Sequence, residues 1–319
     1  MSATNSYSQL IDFIRSETDR HLRNMKLPEE PSYLYQPIDF ALKGKGKRFR
    51  PVLVHLSGRG FGADPEDLMN AGLAVELMHN FTLVHDDIMD NDETRHGLPT
   101  IHKHFGVNEA ILAGDSIFAL AQLMIGKVNS VAAFQAFNTA SLSVCEGQAF
   151  DLEYENDSRI TLDQYLIMIG KKTGKLISLC GELGAILGQQ DKSVTNEMSN
   201  YGMNLGIAFQ VQDDLLEIFS NSKQMGKSLG SDISAGKQTI LTIMARQHDG
   251  WEQIANIQED ITKKLERIRA FFIEKEIKKR AEEMANDFIQ KARSSLSILQ
   301  DDHRNTLNQF TEQVLNRTY

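Results

Sequence analysis

The sequence predicts an all-α protein. Three observations carry that reading. Apolar residues recur at helical spacing nearly throughout the chain. Strand-like alternation is almost absent. The breakers, six prolines and 22 glycines in 319 residues, fall between the periodic segments, too few for the frequent turns of an all-β fold.

The elements follow in order. Met1 to Arg20 carries an amphipathic helix in Leu10, Ile11, Phe13 and Ile14, without the basic start and apolar block of a signal peptide. Pro28, Pro31, Gly44 and Gly46 punctuate the next stretch. Helical spacing then runs over Leu68 to Met89, Asn108 to Ile125, Val131 to Leu152, Leu162 to Ile169, Leu176 to Leu187 and Met198 to Phe219. Gly60 to Pro65, Gly97 to Pro99 and Gly226 to Gly236 interrupt it. The tail repeats the pattern through Ile254, Ile257, Ile261, Leu265 and Ile268, then Phe288 to Leu299 and Leu307 to Leu315. Residues 250–319 are more polar, as helices packed outside a more apolar bundle would be. No Gly-, Ser- or Pro-rich linker divides the chain, so residues 1–319 read as one all-α domain.

Composition narrows the function. A net charge of −9 gives no global attraction for nucleic acid or an anionic membrane surface. Two cysteines, Cys145 and Cys180, make no disulfide framework and fit a reducing compartment. No run of about 18 apolar residues occurs, so no membrane span and a cytoplasmic protein are expected.

The chemistry concentrates in two acidic clusters. Asp86, Asp87 and Asp90 lie at the end of one apolar helix, with Asp86 and Asp90 at i, i+4 on one face. Their charges repel each other and oppose the dipole at a helix C-terminus, which a bound cation would relieve. Asp213, Asp214 and Glu217 repeat the spacing on a second apolar helix. Facing one another, the clusters would form an all-oxygen cage, suited to Mg²⁺ and a substrate phosphate rather than to zinc or copper. The counterpart is basic. Gly44 to Pro51 packs four cations into six residues, followed by a proline at a plausible first helical position. Arg95, Lys171, Lys172, Lys227 and Lys237 add more. Carboxylate-held magnesium with several cations points to chemistry on diphosphates.

These residues resemble the trans-isoprenyl diphosphate synthases, or polyprenyl synthetases, and among them the short-chain geranylgeranyl and farnesyl diphosphate synthases. The likeness runs in order over roughly residues 35–240: Gly46 to Pro51, Glu76 to Asp90, Arg95 to Thr100, Ala113 to Asp115, Gly147-Gln148 with Asp151, Lys172 to Gly174, Gly206 to Glu217, Gly226-Lys227 and Gly230 to Lys237. The resemblance implies a bundle of the isoprenoid synthase type around a deep apolar pocket, acting as a homodimer. It implies head-to-tail joining of isopentenyl diphosphate to an allylic diphosphate (dimethylallyl, geranyl or farnesyl). By resemblance, Asp86, Asp87 and Asp90 hold two Mg²⁺, and Asp213 and Asp214, supported by Glu217, hold a third. Arg95, Lys172, Lys227 and Lys237 contact the allylic diphosphate. Lys47, Arg50 and His79, with Gly46 in the same loop, match isopentenyl diphosphate binders. Thr173 and Gln210 match residues lining the reacting carbons.

Two positions depart from the pattern. His96 stands where the family usually has a second arginine for isopentenyl diphosphate, and lacks that residue's fork of donors. Glu217 replaces a third aspartate, adding a methylene. Product length turns on the helix before Asp86. At ~1.5 Å rise per residue, Phe81 lies ~7–8 Å and Met78 ~12 Å below Asp86 along the axis. Phe81 is the expected floor, as in the family. Thr82 beside it is not a second aromatic, so a C20 product is expected, with C15 and C30 or longer as alternatives. Two other readings remain open: a class I terpene cyclase, which would not need the basic loop, and a non-catalytic subunit of a heteromeric synthase, which typically lacks one acidic motif.

Overall fold

The structure is a computed structural model that describes residues 3–44, 46–220 and 236–315. It is all-α, as the periodicity predicts. The helices are α1 (Ala3–Arg23), α2 (Ser32–Leu42), α3 (Phe49–Arg59), α4 (Pro65–Met89), α5 (Ile101–His104), α6 (Val107–Lys127), α7 (Val131–Tyr154), α8 (Leu162–Ile169), α9 (Lys175–Leu187), α10 (Lys192–Phe219), α11 (Ile240–Ala245), α12 (Trp251–Ala255), α13 (Ile261–Glu274), α14 (Ile277–Ser295) and α15 (Asp301–Leu315). The strands among the described residues are β1 (Thr94–Arg95) and β2 (Leu98–Pro99), paired antiparallel.

The described residues gather into two compact units. The first draws on Met1–Ser141, Leu179–Ser199 and Leu296–Phe310. Its central helix is α4, which packs against α3 and α6. Asp64 caps it by accepting from the amides of Glu66 and Asp67 at 2.9 and 3.2 Å. Pro65 follows at the first helical position, where its missing N–H costs nothing. From Ala71 to Met78 every residue of α4 is buried, so the helix is enclosed on all sides there. A Cβ on Gly184 would stand 2.6 Å from the Gly58 nitrogen, so α9 and α3 touch backbone to backbone.

The second unit draws on Leu142–Ser178, Asn200–Ser295 and Thr311–Tyr319. Tyr165, Met168, Val211, Leu215, Ile218, Leu241, Phe271 and Phe272 share its apolar core. Trp251 stacks on Phe272 with centroids 5.4 Å apart. Between α8 and α9 the chain makes a π-helical turn, Gly170–Gly174, of the kind often found at functional sites.

Two sequence expectations need correction. Pro51 is the third residue of α3, not the first. The amides of the first turn have no intrahelical acceptor, so a proline fits there too. The tail period from Ile254 to Ile268 is broken, because α12 ends at Ala255 and Asp260 caps a new helix by accepting from the Thr262 amide at 2.9 Å. One described helix, α6, is long and apolar enough to cross a membrane by length and composition alone, though it holds no unbroken run of 18 apolar residues. Glu109 and Asp115 interrupt it and it packs against α2, α4 and α5, as a core helix of the same composition does.

Candidate active site

In the first unit the acidic cluster closes α4. Asp90 caps the helix, its amide donating to the Asp86 carbonyl at 2.8 Å. Asp87 is buried, and Arg95 is its counter-ion, with Nε 2.6 Å from Oδ1. The same guanidinium lies 3.4 Å from Asp92 and 4.0 Å from Asp86. Burial pushes the Asp87 carboxyl above its ordinary value, against the downward pull of Arg95. Burial works against the Arg95 cation too, but Asp87, Asp86 and Asp92 outweigh it and hold the guanidinium above its ordinary value.

A hairpin delivers Arg95. His96 and Gly97 are its two central residues, both with positive φ (52° and 78°), the pattern of a type I′ turn. Histidine is among the side chains that adopt this conformation more readily. Thr100 pins the hairpin to the end of α4 through its hydroxyl, 2.7 Å from the Asp92 carbonyl. His96 itself is exposed.

The basic loop divides its cations. Lys47 is exposed and Arg50 partly buried, but Arg48 turns inward, which the basic stretch read as sequence does not reveal. Arg48 takes a left-handed conformation (φ 50°) at the cap of α3. It donates to Asp19 of α1 and to Glu76 of α4 at 2.7 Å each, and to the Gly44 carbonyl at 2.6 Å. Glu76 is one turn before His79. Burial, then the charges of Arg50, Arg95, Arg48 and His96, hold the His79 imidazole well below its ordinary value. His79 is therefore neutral at pH 7 and sits within electrostatic reach of Arg50 and His96, which the sequence reading placed with it.

The apolar residues below the aspartates also come together. The Phe81 ring lies 5.1 Å from Phe118 of α6 and 4.8 Å from His85. Met78, one turn deeper, is fully buried, with the Ser141 hydroxyl 2.9 Å from its sulfur.

In the second unit α10 carries Asp213, Asp214 and Glu217, the last two buried. Asp214 Oδ2 accepts from the Tyr165 hydroxyl at 2.6 Å and from the Ile240 amide at 3.1 Å. Its Oδ1 accepts from Gln210 Nε2 at 3.1 Å, and the Thr173 hydroxyl donates to Gln210 Oε1 at 2.9 Å. The π turn brings Lys172 to Asp151 at 2.6 Å, and Lys237 reaches the same carboxylate oxygen at 3.5 Å. A Cβ on Gly147 would stand 2.2 Å from the Lys172 nitrogen, so only glycine lets α7 lie against this turn. Lys227, with Gly226 and Gly230, falls outside the described residues.

Sequence reasoning missed Tyr165, the Asp19–Arg48–Glu76 triad and the shared lysine partner role of Asp151. Each depends on partners distant in the chain, and no local spacing announces them. Among the described residues no three His, Cys, Asp or Glu side chains converge on one metal-sized point. The oxygen-only pairs Asp86/Asp90 and Asp213/Glu217 nonetheless suit Mg²⁺, which typically takes one or two carboxylates and completes its shell with water and substrate phosphate.

Comparison with known proteins decides the family. The profile of the polyprenyl synthetases matches residues 31–274. This chain belongs to the polyprenyl synthetase family. Among its relatives in the family is the geranylgeranyl pyrophosphate synthase of Geoglobus acetivorans, 36% identical over 305 residues, covering 91% of this chain and 93% of that one. The crystal structure of geranylgeranyl pyrophosphate synthetase from Pyrococcus horikoshii Ot3 superposes with a TM-score of 0.88 at 34% identity, covering 98% and 99% of the two chains. A polyprenyl synthase from Caulobacter crescentus CB15, complexed with calcium and isoprenyl diphosphate, superposes with a TM-score of 0.89 at 26% identity, covering 99% and 98%. These polyprenyl synthetases share the all-α architecture described above.

Proposed function

We propose that this polyprenyl synthetase joins isopentenyl diphosphate head-to-tail to an allylic diphosphate and releases all-trans geranylgeranyl diphosphate. The observation that carries the reading is the pair of matched acidic clusters on apolar helices, each with cations held nearby. Relatives named geranylgeranyl synthases support the C20 product, and so does Phe81 with Phe118 beneath the first cluster.

Asp86, Asp87 and Asp90 would hold two Mg²⁺, and the second cluster, through Asp213 and Glu217 beside Asp214, a third. Bound there, the metal supplies charge that stabilises the departing diphosphate. Arg95, Lys172, Lys227 and Lys237 add fixed cations on the allylic diphosphate, which count most as negative charge develops. Asp151 holds two of those lysines in place. Gly46, Lys47, Arg50, His79 and His96 receive isopentenyl diphosphate, with the neutral His79 as a hydrogen-bonding rather than charged partner. The apolar surround of Phe81 and Met78 keeps water from the allylic cation. The released diphosphate takes the final proton.

A homodimer in the cytoplasm goes with this reading. In the first unit Leu123 of α6 and Val131 and Phe134 of α7 are exposed large apolar residues, a surface a second copy could cover. A steady-state assay of the pure chain with isopentenyl and allylic diphosphates tests the function. Chain-extended diphosphates support a synthase. A hydrocarbon would make it a terpene cyclase, and no product a regulatory subunit.

A further inference from the structure

Asp214 belongs by resemblance to the metal ligands, yet its surroundings give it different work. Among the described residues the Tyr165 hydroxyl, the Ile240 amide and the Gln210 side-chain amide all donate to its carboxylate. The two on Oδ2 engage both lone pairs of that oxygen. Tyr165 is 1% exposed and Asp214 4%, so this is a buried network in which direction matters.

Hydrogen-bond chemistry runs one way along it. With donors aimed at both its oxygens, Asp214 is the accepting end, and Gln210 turns its NH₂ toward it. Its carbonyl oxygen then faces Thr173. That oxygen also only accepts, so the single Thr173 hydroxyl proton is committed to it at 2.9 Å. With its proton spent, Thr173 presents lone pairs in its remaining directions. A flipped Gln210 would set its oxygen against the Asp214 carboxylate and present an N–H to Thr173. It would lose one charge-assisted bond and create a repulsion.

We propose that Asp214 is a positioning residue: through Gln210 it fixes the polarity of the Thr173 hydroxyl, so that electron pairs and not a proton face the reacting carbons. Tyr165 and the start of α11 hold Asp214 in register. The inference rests on the proposed prenyl transfer, in which Thr173 lines those carbons. A fixed oxygen dipole there favours the allylic cation as it forms and needs no reorientation at that moment. The reacting carbons bear no such charge in the ground state, so the network affects turnover rather than binding.

A double-mutant cycle on the full-length chain with Mg²⁺ tests this. Asp214→Asn can donate as well as accept, which releases the constraint on Gln210. It should lower kcat about tenfold, while both substrate KM values and the Mg²⁺ concentration for half-maximal rate stay within about twofold of wild type. Thr173→Val should lower kcat comparably. In the Thr173→Val background, Asp214→Asn should cost less than about twofold more, because both changes break one pathway. Gln210→Met cuts the connection while leaving Tyr165 and Ile240 on Asp214, and should show the same coupling to Thr173 even if Asp214→Asn folds poorly. Losses that multiply in the double variants, or a raised Mg²⁺ requirement in Asp214→Asn, would overturn the proposal and return Asp214 to the metal. An inactive wild type would remove the prenyl-transfer reading and this inference with it. An active wild type with multiplying losses removes the inference alone.

Discussion

The Arg48 guanidinium donates to Glu76 at 2.7 Å, and both side chains are about 5–6% exposed. Arg48 caps α3 and Glu76 lies one turn before His79, so one buried ion pair ties Lys47 and the α3 start bearing Arg50 to the helix bearing His79 and the first aspartates. Without Glu76, Arg48 keeps Asp19 and the Gly44 carbonyl but loses its buried charge partner, a cost below the ~3–5 kcal/mol of a wholly unpaired buried charge. Glu76→Gln should therefore lower the melting temperature. It should also raise KM for isopentenyl diphosphate more than for the allylic substrate. Equal changes in both KM values would show that the pair does not serve the loop.

Asp86→Ala and Asp213→Ala probe the acidic clusters. Each should cut turnover by about 10³-fold, or ~4 kcal/mol of transition-state stabilisation, with the helical circular dichroism signal retained. Near-normal turnover in either variant would remove its cluster from the site.

His96→Arg puts a permanent, forked cation where the imidazole stands. KM for isopentenyl diphosphate should fall while the allylic KM holds. The turn at φ 52° accepts arginine less readily, so stability should drop by about 1 kcal/mol. His96→Asn suits the turn and adds no charge, and should not lower either KM. Unchanged KM values in His96→Arg would place residue 96 outside the substrate site.

Stability should depend on pH through two histidines. Burial holds His55 down at about 4 and, with the neighbouring cations, keeps His79 well below 6.5. In the unfolded chain both would titrate near ~6.5. The unfolded state then binds more protons below that value, so stability is full above pH 6.5 and falls as the solution is acidified toward pH 4. His55 alone could contribute up to about 3 kcal/mol across that range, from 1.36 kcal/mol per unit. Thermal melts of His55→Gln should show a shallower decline than wild type. Identical slopes would contradict the assignment.

The helices and the acidic clusters were legible in sequence because both are local. Helical period shows in neighbours three and four residues apart, and Asp86/Asp90 and Asp213/Glu217 repeat one spacing. The inward turn of Arg48 was not legible in the basic stretch, because composition does not reveal that Glu76, 28 residues away, draws it in. The donors that converge on Asp214 were out of sight for the same reason, since Tyr165 lies 49 positions off and Ile240 26. The π turn at Gly170–Gly174 was likewise invisible to a 3.6-residue period, which continues on either side of it.

Product analysis tests the central claim most directly. The pure chain is incubated with Mg²⁺, isopentenyl diphosphate and, in turn, dimethylallyl, geranyl and farnesyl diphosphates, and the dephosphorylated alcohols are separated by chromatography. The expected result is a dominant C20 alcohol from each primer, lost on chelation of the metal and lengthened by one or more five-carbon units in Phe81→Ala, where the ring against Phe118 is gone. Recovery of the primers alone, with no alcohol longer than the one supplied, would contradict it.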